Sequence, residues 1–111
     1  MTFTLIRTAI IRNVTEVRFY DDTIKKIRLA HPEVPIELPS ILSAVARAIM
    51  YPSRVEQSHS NTYVYVDVNS TNSSGQPLRV PVRLVSGTSG RVTSVYFARG
   101  PAASFIIWRK S

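Results

Sequence analysis

Cysteine is absent from this 111-residue chain, which removes disulfides, thiolate metal sites and cysteine nucleophiles together. Histidine is nearly absent, with only His31 and His59. Two distant histidines and seven scattered acids make no ligand cluster, so neither a metal nor a cofactor is expected. A phosphate-binding glycine loop, a nucleophile elbow and a dinucleotide fingerprint are all missing. Residues 2–11 are apolar but are interrupted by Arg7, too short to span a membrane and without a signal-peptide layout. The chain is expected to work in cytosol, whether made there or delivered there. The most telling shortage is of acid. All seven Asp and Glu lie at or before Asp67, and beyond it stand Arg79, Arg83, Arg91, Arg99, Arg109 and Lys110 unopposed.

The first 67 residues are nearly balanced, so almost all of the net +7 belongs to the later part of the chain. One-sided positive charge suits a polyanion, since phosphate contacts come mainly from Arg and Lys. Arg outnumbers Lys eleven to three, which favours planar two-point contacts. The plainer reading is a basic domain whose charge only keeps it soluble.

The length allows one domain, residues 1–111, with a real core. Residues 3–20 favour extended structure, although 14–20 also fit a helix. Asp21-Asp22-Thr23 offers cap chemistry for a helix over about 23–31 that buries Ile24, Ile27 and Ala30. Pro32, Pro35 and Pro39 then force a constrained connection. Ser40 caps a second helix over 41–50, with Ile41, Leu42, Val45 and Ile49 on its apolar face, ending before Pro52. From residue 62 the period becomes two, and strands are expected at 63–68, 78–85, 91–97 and 105–109. The helical part spans about 21–51 and the sheet about 62–109. Helices followed by strands predict an α+β domain, with N-terminal helices on one face of a four-stranded antiparallel meander.

If the valine faces of those strands point at the helices, the open face presents Tyr63, Tyr65, Arg79, Arg83, Ser94 and Tyr96. Cations and phenols on one sheet face can grip phosphate, stack a base and move a proton. They are also common on exposed strands, where cross-strand pairs merely add stability. Arg91, Arg99, Arg109 and Lys110 fall at strand ends and would rim that face. Arg54, after the Pro52 turn, points at phosphate or at water. His31, before Pro32, carries an imidazole, the side-chain type suited to exchanging a proton with RNA, though a helix-terminal His is more often a favourable C-terminal cation. His59 is a secondary candidate in a polar loop.

Ala30-His31-Pro32-Glu33, the helix exit Ala48-Ile49-Met50-Tyr51-Pro52-Ser53-Arg54-Val55, and the strands 63–68, 78–84 and 91–97 follow one another in an order that resembles the barnase–EndoU–colicin–RelE-like nucleases. The phage- and toxin-associated branch is the nearest in pattern. The resemblance covers about residues 28–97. It implies metal-independent endoribonuclease activity on tRNA or mRNA, with attack by the 2′-hydroxyl leaving a 2′,3′-cyclic phosphate. By position, His31 would be general base or acid, Ser94 and Tyr96 paired site residues, and Arg83 the cation that steadies developing charge. Arg54, Tyr63, Tyr65, Arg79, Arg91 and Arg99 would bind the RNA. Ser94 stands where threonine is more usual, and arginine must supply the cation that a lysine would. The implied partners are RNA and an acidic antitoxin or immunity protein. A non-catalytic nucleic-acid-binding module, or a phage-encoded protein that binds an acidic host protein, would also account for the charge.

Overall fold

The computed structural model describes residues 2–59, 61–100 and 105–111. In chain order the elements are β1 (Phe3–Arg7), β2 (Glu16–Tyr20), α1 (Asp21–Ala30), α2 (Glu33–Glu37), α3 (Ile41–Met50), β3 (Arg54–His59), β4 (Thr62–Thr71), β5 (Pro77–Leu84), β6 (Ser89–Val92), β7 (Tyr96–Phe97) and β8 (Phe105–Arg109). The fold is α+β, as expected, but the sheet is twice the expected size. Eight strands join in the order β1-β2-β6-β5-β4-β3-β8, with β7 continuing beside β5. All described pairings are antiparallel except β2 with β6.

The larger sheet extends one expectation and corrects two. Residues 3–20 contribute β1 and β2, which pair from Phe3↔Tyr20 to Arg7↔Glu16 before the first helix. The expected polar loop before residue 62 is instead β3, with His59 exposed at its end. The last strand does not follow β7 in the sheet; β8 lies beyond β3 on the far side. Alternation reveals that a strand exists, but its neighbours are chosen by long-range pairing.

Local chemistry accounts for the helices. In α1, Asp21 and Asp22 occupy the first turn, where the positive end of the helix dipole favours them, rather than capping it. Thr23 and Ile27 are buried, whereas Ala30 is exposed. The backbone leaves helical geometry at His31, ahead of Pro32. A short helix, α2, forms within the proline-rich connection, because Pro35 falls in its first turn where no N–H partner is lost. Ser40 caps α3 as expected, its hydroxyl accepting from the Ser43 amide at 3.2 Å. The buried face of α3 is Ile41, Ala44, Val45, Ala48 and Ile49, leaving Leu42 partly in water.

These helical residues form one core with Ile6, Val17, Phe19, Val55, Tyr65, Leu78, Val80, Val82, Val92 and Val95. The register puts the strand members on a single sheet face, through Val55↔Tyr65, Tyr65↔Val80 and Val82↔Val92. Each fully buried aliphatic side chain stabilises the fold by roughly 1.5–3 kcal/mol. Gly90 lets β6 lie close to β5, since a Cβ there would meet Val82 Cγ1 at 2.6 Å.

Candidate functional site

The expected open face is only partly the observed one. Register places Tyr63, Tyr65 and Asp67 opposite Val82, Val80 and Leu78, so these three project to the helix side. Tyr65 has no exposed surface and Tyr63 packs against the core. Burial pushes the Tyr65 phenol up, with a smaller contribution from Tyr63, and keeps it from any surface a ligand could reach. Asp67 accepts from the Asn69 amide at 2.9 Å and the Ser70 hydroxyl at 3.0 Å, shaping the end of β4. The expectation failed because β4 is central and both its faces are buried, including Val64 and Val66. A Tyr/Val alternation then carries no mark of which face meets water.

The second face carries Arg54 and Glu56 from β3, Arg79 and Arg83 from β5, Arg91 from β6 and Tyr96 from β7. Tyr96 reaches it through a bulge. Leu78 to Val82 spans four residue steps on β5, whereas their partners Phe97 and Val92 are five apart. The extra residue falls among Thr93, Ser94 and Val95, which interrupt the expected 91–97 strand. It lets Val92 and Val95 both enter the core while Tyr96 pairs with Arg79. Ser94 lies half-buried within this bulge.

Arg79 is the centre of the arrangement and is 1% exposed. Its Nη2 donates to Glu56 Oε1 at 2.6 Å and its Nη1 to Oε2 at 3.3 Å. Arg54 Nε donates to the same Oε2 at 2.7 Å. Gly100 is packed onto the guanidinium with φ +90°, a conformation and a closeness that only glycine tolerates. Arg79 therefore does not face solvent, contrary to the expectation that it binds RNA directly. Burial works against its charge, but the hydrogen-bonded Glu56 carboxylate, with a smaller contribution from the nearby Tyr96 phenol, outweighs this and raises its pKa. For Glu56, burial would raise the carboxyl, yet the two arginines hold it below the usual carboxylate range. Two guanidiniums against one carboxylate leave net positive charge beneath Tyr96, and among the described residues Arg79 Nε has no hydrogen-bond partner.

His31 comes to this cluster from the end of α1, its ring centroid 6.1 Å from that of Tyr96. Its Nδ1 lies 3.2 Å from Glu33 Oε1, and its side chain is 36% exposed. A carboxylate on Nδ1 fixes the ring and presents Nε2 as the nitrogen for proton exchange. The expected catalytic set thus divides. His31 and Tyr96 meet, with Arg79 rather than Arg83 as the neighbouring cation. Arg83 is four residues along β5, roughly 13 Å away, where it pairs with Arg91. Arg83, Arg91 and Arg99 are exposed, and Arg54 is half-buried against Glu56. Glu33 and Glu56 were missed as site residues. The Arg54-x-Glu56 spacing puts two charges on one face of any strand, but no strand was expected there.

Comparison with protein-family models, curated proteins and solved structures finds no match to this chain. Among the described residues no helix is long and apolar enough to cross a membrane, and no three His, Asp or Glu side chains gather as metal ligands would.

Proposed function

We propose that the protein is a metal-independent endoribonuclease of the toxin type, acting through His31 and Tyr96. The observation that carries this reading is their meeting, from distant parts of the chain, above two arginines, Arg79 buried and Arg54 half-buried, that share one carboxylate and leave surplus positive charge. His31 Nε2 takes the proton from a ribose 2′-hydroxyl while O2′ bonds to the adjacent phosphorus and the P–O5′ bond breaks. The departing O5′ takes a proton from the Tyr96 hydroxyl, which solvent restores, and a 2′,3′-cyclic phosphate remains. Glu33 orients His31. Arg79, locked by Glu56, positions Tyr96 and supplies a positive field for the developing charge. Arg83 belongs to RNA binding in this scheme rather than to the reacting phosphate. An acidic antitoxin or immunity protein would inhibit the enzyme by covering the basic face.

Burial of Arg79 favours a second reading, a non-catalytic RNA-binding module, because the cation beside His31 and Tyr96 does not reach solvent. One experiment separates the two. The purified chain is incubated with tRNA and mRNA in EDTA, and the fragment ends are mapped. Discrete cuts with cyclic-phosphate ends are expected, reduced about 10²-fold or more in His31→Ala and Tyr96→Phe. Tight binding without cuts would select the binding module. Cleavage that survives both substitutions would remove these residues from the mechanism, and no binding at low salt would leave the acidic-protein partner.

A further inference from the structure

At the β1 end of the same sheet face, side chains outside the His31–Tyr96 cluster form a continuous stack. Phe3 and Tyr20 face each other across β1 and β2 with ring centroids 5.2 Å apart. The Arg18 guanidinium lies 4.8 Å from the Phe3 centroid, and that of Arg91 lies 5.5 Å from the Tyr20 centroid. Phe3 and Arg91 are exposed, and Arg18 and Tyr20 half-exposed. Arg91 is shared with a cleft of about 440 Å³, to which Lys26 and Thr23 of α1, Arg83 of β5 and Thr93 contribute. Three cations and no carboxylate line that cleft. Glu16, the acid on this face of β2, lies opposite Arg7 in the strand register, two residues from Arg18.

We infer that the Phe3–Arg18–Tyr20–Arg91 stack and the Lys26–Arg83–Arg91 cleft together form a binding site for single-stranded RNA. Flat rings and guanidiniums offer π faces to unstacked bases, which is sequence-tolerant because every base has such a face. The neighbouring cleft takes the phosphates. Sheet faces with aromatic side chains hold two or three bases in this way. An acidic peptide could occupy the cleft but has no use for the ring stack, and a duplex keeps its bases paired and out of reach. The site also has a direction. Arg83 in the cleft and Arg79, the β5 partner of Tyr96, are four residues apart, roughly 13 Å along a strand, so an RNA strand leaving the cleft along β5 arrives at Tyr96 and His31. That last step rests on the nuclease reading; the binding site itself does not.

The test separates them by using a labelled twelve-nucleotide, 2′-O-methylated oligouridylate, which can bind but lacks the attacking hydroxyl. Anisotropy titrations of the full chain at low salt should show binding that weakens roughly five- to hundredfold in Tyr20→Ala and is retained in Tyr20→Phe. Arg91→Ala and Arg83→Gln should each reduce the slope of log affinity against log salt by about 0.7. If Tyr20→Ala fails to fold by circular dichroism, the two arginine variants carry the test, since both side chains are exposed. Equal affinity for a duplex, a single strand and an acidic peptide would overturn the inference in favour of bare charge. So would wild-type affinity in folded Tyr20→Ala, or no binding. Binding that depends on Tyr20 in a chain that cuts no RNA would leave the site standing and remove the nuclease.

Discussion

Glu56 faces two guanidiniums in a place that water hardly reaches, and its charge decides whether they are tolerated. Glu56→Gln removes the counterion but keeps the shape. It should cost about 3–5 kcal/mol by chemical denaturation, the usual consequence of orphaning a buried charge. The same pair predicts a pH dependence. The folded-state pKa of Glu56 lies below its ordinary value, so the carboxylate contributes stability above the unfolded pKa of about 4.3. That contribution is lost as pH falls through the folded value. Denaturation midpoints measured from pH 6 to pH 3 should fall in the wild type below about pH 4.3, and the fall should be shallower in Glu56→Gln. Neither residue advertised this role in the sequence. Arg79 read as a solvent-facing cation because alternation shows which residues share its face, not what lies over that face.

Among the elements, α3 was legible almost to the residue and the β6–β7 region was not. The α3 signals are local: a serine cap, an apolar periodicity and a proline after the end. Ser40→Ala should therefore destabilise the protein by about 1 kcal/mol. By thermal melting this corresponds to a drop of roughly 4–8 °C for a domain of about this size, while Ser40→Asp should hold near wild type. The bulge at Thr93–Val95 has no comparable local signal, since each of its residues fits an extended strand. Only the mismatch of register against β5 reveals the additional residue. The expected grouping of Tyr96 with Arg79 held because of this bulge. An unbroken strand starting with Val92 in the core would have carried Tyr96 into the core as well.

At the scale of the molecule, the surplus charge is gathered rather than spread. β2, β6, β5 and β3 each place arginines on one face: Arg18, Arg91, Arg83 and Arg54. Affinity for any nucleic-acid strand should consequently depend steeply on salt, falling tenfold or more between about 50 and 200 mM if several phosphates are neutralised. Titration by anisotropy across that range checks this. Flat affinity would assign the charge to solubility alone.

Composition and periodicity by themselves determined that the chain is α+β, where α3 starts and stops, that alternating strands follow it, and that the later part is acid-free. These depend on side chains within a few residues of one another, and that range is what a sequence displays directly. The tertiary structure alone decided that residues 3–20 complete the sheet, that β8 lies beside β3, and that Tyr65 is inside while Tyr20 is outside. It also decided that His31 meets Tyr96 above the Arg54–Glu56–Arg79 cluster. Each of these is a choice of register or neighbour between segments far apart in the chain. Shifting a strand by one residue reverses its faces without altering its pattern, so only the assembled sheet distinguishes the alternatives.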